Sequence, residues 1–109
     1  MPNGLSGITG GVSGFDLAAA TDTLIYTCPA SRRASVTVAF VNRGTAAAKA
    51  RLARGVGASP AATDWMEFDA VVAVGTPLIR SGIPLSAGDK LWARSDLVNV
   101  TVQVEGVEA

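Results

Sequence analysis

Residues 23–42 read TLIYTCPASRRASVTVAFVN, and their alternation constrains this chain more than any other feature. Ala34, Val36, Val38 and Phe40 fall on one side of an extended backbone, and Ser35, Thr37 and Ala39 fall on the other. Side chains alternate across a strand with period 2, so the segment reads as a strand with one buried face and one wetter face. A shorter strand over Thr23–Cys28 precedes it, and Pro29 presets the backbone angle of the turn between them. The same grammar returns near the C-terminus, where Val100, Val102 and Val104 alternate with Thr101, Gln103 and Glu105.

The middle of the chain continues the pattern. Ala48, Ala50 and Leu52 share a face over residues 47–54, with Lys49 and Arg51 opposite. Helix competes there, because AAAKARLAR is rich in helix formers, but the preceding strand and turn favour a strand. Glycine, serine and proline mark residues 55–63 as a loop. A short strand is expected over Trp65–Asp69, with Met66 and Phe68 on one side and Trp65, Glu67 and Asp69 on the other. A brief apolar run over Val71–Val74, a strand over Pro77–Ser81, a linking turn over Gly82–Gly88 and a strand over Asp89–Ser95 follow. About seven or eight short strands separated by turns predict an all-β, antiparallel β-sandwich, either jelly-roll or immunoglobulin-like.

Residues 1–20 differ from this body, which spans 21–109. Gly4, Gly7, Gly10, Gly11 and Gly14 recur through a stretch poor in charge, and each glycine raises the cost of ordering it. Yet Leu5, Ile8, Val12, Phe15 and Leu17 are spaced along it, which a plain flexible linker does not need. The segment reads as an extended arm that orders against a neighbour or against the sandwich edge. A frayed terminus is the plainer alternative. It lacks a basic region followed by an apolar stretch, so it is not read as a secretory signal.

Chemistry is scarce. The chain of 109 residues has no histidine, which removes the usual general base and the commonest metal ligand together. A single cysteine, Cys28, excludes an intrachain disulfide and the usual tetrahedral zinc sites, and it reads as a buried, inert thiol. Asp64, Glu67 and Asp69 lie close in sequence, but solvated surface charge explains them more simply than calcium binding or glycoside hydrolysis. No phosphate-binding glycine motif is present. Nine Lys and Arg balance nine Asp and Glu, so there is no broad basic field for nucleic acid. No segment approaches the roughly 18 apolar residues that span a bilayer. The reading is of a non-enzyme with no catalytic residues, no metal site and no cofactor, and with neither nucleic acid nor membrane as partner.

Trp65 and Trp92 fall on the more polar faces of their strands, where large aromatics often mark contact surfaces. Core packing is the competing reading for Trp92. The interface candidates are therefore Leu5, Ile8, Val12, Phe15, Leu17, Trp65 and Trp92. Arg32, Arg33, Lys49, Arg51 and Arg54 form a possible basic strip.

Three stretches together resemble the small virion proteins of tailed bacteriophages: TDTLIYTCPASRRASVTVAFVNRG at 21–44, GIPLSAGDKLWARSD at 82–96 and VNVTVQVEGVE at 98–108. The shared features are the Tyr-Thr-x-Pro-Ala turn, the long valine strand ending in Asn42 and Arg43, the turn of Leu85, Ala87, Gly88 and Asp89, and the closing Gly106, Val107 and Glu108. The resemblance implies a structural protein made in the host cytoplasm and located in the virion. Its partners would be further copies of itself, as a homo-oligomer, and the major capsid or tail proteins. It would decorate or cement a head or tail. A fibre-associated module that binds a receptor or carbohydrate is the alternative. None of the motif residues is catalytic in that family.

Overall fold

The computed structural model describes residues 4–109, so the first three residues of the expected arm lie outside the described residues. After a single 3-10 turn at Thr9–Gly11, eight strands follow in order: β1 Gly14–Asp16, β2 Thr23–Thr27, β3 Ala34–Asn42, β4 Ala48–Gly55, β5 Trp65–Val72, β6 Leu78–Leu85, β7 Lys90–Ser95 and β8 Val100–Glu108. They form two four-stranded sheets, ordered β1-β8-β3-β6 and β2-β7-β4-β5. Every ladder is antiparallel.

The pairing resolves the topology that strand pattern left open. β1 pairs with β8, β2 with β7, β3 with β6 and β4 with β5. That is one long antiparallel ribbon, first strand with last and inward to the middle, rolled so that β8 also meets β3 and β7 also meets β4. A rolled ribbon of this kind is a jelly roll; an immunoglobulin sandwich would keep the first two strands in one sheet. Accordingly β2 and β3 are not a hairpin: the turn at Pro29 carries the chain from one sheet to the other.

The inner faces hold the core. In β3, alternate residues Ala34, Val36, Val38 and Phe40 are buried, and they meet Val100, Val102 and Val104 of β8. Ile25 and Tyr26 of β2, Ala50 and Leu52 of β4, and Leu91 and Ala93 of β7 close it from the opposite sheet. Each large side chain buried here contributes about 1.5–3 kcal/mol relative to exposure. Residues 47–54, where helix competed, are strand because alternation lets Ala48, Ala50 and Leu52 enter this core together. Asn42 ties the layers at one end: its Nδ2 donates to the Ala46 carbonyl at 2.8 Å and to the Val72 carbonyl at 3.0 Å.

Two strands differ in extent from the sequence reading. β5 is continuous from Trp65 to Val72, because two irregularities in its pairing with β4 absorb the residues that look like a break. Asp69 adopts φ 56° at one of them. The extra residues shift the alternation, so Phe68 leaves Met66's side and turns outward, 56% exposed, while Met66 packs on the core. β6 runs on through Leu85, so residues 82–85 are strand rather than turn. Gly82, at φ 66°, takes up a register shift there, and Pro84 is tolerated because β6 is an edge strand. Irregular edges also blunt unwanted strand-to-strand pairing. Between these two edges Arg80 donates to the Glu67 carboxylate at 2.9 Å, joining β6 of one sheet to β5 of the other.

The other open side is closed by residues 4–20. Gly7 accepts from the Thr27 amide at 2.9 Å beside β2, and Ser13 accepts from the Val104 amide at 2.9 Å beside β8. β1 then pairs with β8, and the Leu17 amide donates to Val100. The glycine-spaced segment thus runs along one sheet edge, crosses to the other, and covers unpaired backbone on both.

Candidate interaction surfaces

The outer faces of the two sheets each combine exposed apolar residues with ion pairs, in different proportions. Directly opposed residues of an antiparallel pair point the same way. On the β1-β8-β3-β6 sheet this aligns Ala39 with Ile79 and Gln103, Ser35 with Pro84 and Val107, Thr37 with Glu105, and Val41 with Thr101. Glu105 is one charge on this face, and Asp16, opposite Thr101, is a second, paired with Arg43 at 2.6 Å. Val41, Ile79 and Val107 are 41%, 58% and 46% exposed. These apolar residues are thus left in water on this face, while the other sheet leaves Phe68 and Val71 exposed.

The outer face of the β2-β7-β4-β5 sheet is ionic. Arg51 bonds Asp69 at 2.7 Å, and Arg94 reaches Asp22 at 3.4 Å. The Arg51 guanidinium also lies 3.8 Å from the Phe68 ring centre and 5.8 Å from that of Trp65, and the two rings meet edge to face at 5.5 Å. The Arg51 hydrogen bond holds the Asp69 carboxyl below its usual range, and in return the guanidinium is held more firmly protonated. Such exposed pairs add little stability but keep this face wet.

A third feature is a buried carboxylate. Glu108, at the end of β8, is fully buried. Its Oε2 accepts from the Tyr26 hydroxyl at 2.6 Å, the Ser6 amide at 2.8 Å and the Gly7 amide at 3.2 Å. Its Oε1 accepts from the Ser6 hydroxyl at 2.7 Å. Burial opposes the charge, but the bonds from Tyr26, Ser6 and Gly7 outweigh it and hold the carboxyl down at about 2. The neighbouring Tyr26 hydroxyl is pushed up by burial first and by the Glu108 carboxylate second. Gly7 fits only as glycine, since a side chain there would overlap the Thr27 carbonyl.

This clasp has a pH signature. A carboxyl lowered from 4.5 to about 2 contributes stability in full above about 4.5 and loses it as pH falls toward 2. The melting temperature should therefore hold from pH 7 to about 5 and drop below 4.5. The drop attributable to the clasp is the part missing from Glu108→Gln, measured by calorimetry across the same range.

The last feature is a cleft at the same end of the sandwich, about 490 Å³ in volume, lined by Arg33, Arg54, Ser86 and Asp89 among others. Arg54 there donates to the Pro84 carbonyl at 3.0 Å, and the Asp89 carboxylate accepts from the Ser86 amide at 2.8 Å. The expected basic strip is divided: Arg32, Arg33 and Arg54 stand around this end, whereas Lys49 and Arg51 belong to the ionic face.

The expected interface residues are also divided. Leu17 is buried in the core, and Leu5, Ile8 and Phe15 pack partly against it, so these residues line the chain's own sandwich. Val12 is 52% exposed. Trp65 is half-buried under Arg51 on the ionic face. Trp92 corrects the expectation of an open aromatic platform: it points away from the core but is 4% exposed, between Leu24 of β2 and Ala53 of β4. Cys28 is buried, its thiol pushed up by burial. Glu108 was missed as a functional position. Its signal was parity: continuing the inward set Val100, Val102, Val104 in steps of two arrives at Glu108, a charge on the core side.

Among the described residues no cluster of His, Cys, Asp and Glu has a metal-binding arrangement. No protein-family model matches the sequence, and no curated protein matches it. Among solved structures, a pentameric capsid protein isolated from metagenomic phage sequences is 21% identical over the match and superposes with a TM-score of 0.38. That match takes in 95% of this chain, which spans 66% of the other protein's length.

Proposed function

We propose that this chain is a structural, non-enzymatic virion protein of a bacteriophage, made in the host cytoplasm, that assembles with its own copies on the particle and decorates or cements head or tail. The observation that carries the reading is the set of apolar side chains Val41, Ile79 and Val107 left exposed on the outer face of the β1-β8-β3-β6 sheet, where the charges are Glu105 and the Asp16–Arg43 pair at the β1 edge. The jelly-roll order does not decide the matter, since that architecture hosts capsid and lectin domains alike. The sequence resemblance to small phage virion proteins points the same way as the face. A carbohydrate-binding module has less support: Trp92 is covered, and one side of Phe68 carries Arg51.

Magnitude limits what the face does alone. The three long strands β6, β3 and β8 have eight, nine and nine residues. At about 4.8 Å between strands and 3.4 Å per residue they present roughly 400–450 Å². A stable interface needs about 800 Å² per partner, so further elements must join it.

The double substitution Ile79→Lys with Val107→Glu tests the reading. Both positions are exposed, so folding should change by no more than about 0.5 kcal/mol each. Sedimentation should show concentration-dependent oligomers for the unaltered chain and monomers for the variant, and the variant should be lost from purified particles. An unaltered chain that stays monomeric at high concentration and is absent from particles overturns the proposal.

A further inference from the structure

The arm's seat on the sandwich is built like a socket. Residues 4–17 make no covalent tie to it except through Ala18–Asp22, and all five of those residues are exposed. The arm is held by three hydrogen bonds from Ser6 and Gly7 to Glu108, the Thr27 amide on Gly7, the ladder from Ser13 to Leu17 along β8, and the apolar packing of Leu5, Ile8, Phe15 and Leu17, while the linker itself is tied by the Ala20 amide to the Ser95 carbonyl at 2.7 Å and by Asp22 to Arg94. The hinge carries strain, because Ala20 sits at φ 55°, a left-handed conformation that a residue with a Cβ rarely adopts. Short connections under strain favour exchange of the segment they hold, since the same contacts form with a neighbour and the strain is released.

From this geometry we infer that the Glu108 socket and the β8 edge receive residues 4–17 of a second copy, so that assembled copies exchange arms. The inference rests on the self-assembly proposed above and names its mechanism. Exchange creates no new chemistry; the neighbour's Ser6 and Gly7 replace the chain's own at the Glu108 carboxylate. It also supplies the contact area that the sheet face lacks. Five extended residues span about 17 Å, so the neighbour's β8 edge must lie within that reach of Asp22.

The register provides a direct test in the full-length chain. Leu17 bonds Val100, and Val104 bonds Ser13, so the pairs Asp16–Thr101 and Gly14–Gln103 fall between hydrogen-bonded positions, where Cβ atoms come closest. One preparation carries Asp16→Cys and a second carries Thr101→Cys; they are mixed at high concentration, incubated and oxidised. A second set uses Gly14→Cys with Gln103→Cys. Arm exchange predicts a disulfide-linked heterodimer on a non-reducing gel in at least one set, increasing several-fold between dilute and concentrated mixtures. Absence of the mixed product in both sets overturns the inference. Sedimentation of the same mixtures separates the two readings: oligomers without the cross-link remove arm exchange alone, whereas monomers throughout remove self-assembly as well.

Discussion

Replacing Glu108 with alanine should cost on the order of 3 kcal/mol and lower the melting temperature by roughly 15 °C. The substitution removes little apolar contact. It strips four donors of their acceptor: the Tyr26 hydroxyl, the Ser6 amide and hydroxyl, and the Gly7 amide. The Tyr26 hydroxyl is buried, and the Cys28 thiol beside it is only a weak partner, so most of the penalty falls on it. Hydrogen bonds to an ionised group are worth about 1.5–3 kcal/mol each, which makes the quoted loss the sum of only part of the set. Tyr26→Phe should recover some of it in the double variant, because the orphaned hydroxyl goes with it. Urea denaturation of the three variants measures this directly. A loss below about 1 kcal/mol for Glu108→Ala would show that the clasp does not hold the arm.

Gly106→Val should prevent folding, with an effect beyond about 4 kcal/mol. Gly106 lies near the end of β8 opposite Val36, at φ 154°, and a Cβ there would overlap the Ser35 carbonyl and stand 2.8 Å from the Val36 Cα. These are backbone atoms, so no rotamer change relieves the overlap. Only parting β3 from β8 would do so, and that ladder runs through all nine residues of β3. Gly82→Ala is the control. It also sits at positive φ, 66°, but a Cβ there meets nothing within 4 Å, so only the backbone preference of about 1 kcal/mol is lost. Soluble expression and circular dichroism should separate the two variants. Folded Gly106→Val with native melting would contradict the β3–β8 pairing itself.

Much of the sandwich was legible because burial and alternation coincide. β3 begins and ends where the period-2 pattern does, and β4 is a strand despite its helix-forming residues, since alternation puts its small apolar side chains into one core. What escaped was everything that breaks the period. The irregularities of β5 and Gly82 in β6 shift the register without changing residue type, so Phe68 and residues 82–85 were misplaced. β1 was illegible for another reason. Three residues, glycine first, carry no alternation, and they pair only because Leu17 and the β8 edge draw them in. Trp92 shows the limit on the surfaces: parity placed it outward, but its cover comes from neighbouring strands that no local pattern names. Glu108 stood two steps beyond Val104, past Gly106, on the inward parity of a pattern already read.

The clasp also imposes an order on biogenesis. Ser6 and Glu108 are 102 positions apart, so the anchor for the N-terminal segment is nearly the last part of the described chain to be made. At ~5–20 residues per second, the ribosome leaves that segment without its seat for roughly 5–20 s. During that interval, the only Glu108 socket within reach of the segment is that of a finished molecule nearby.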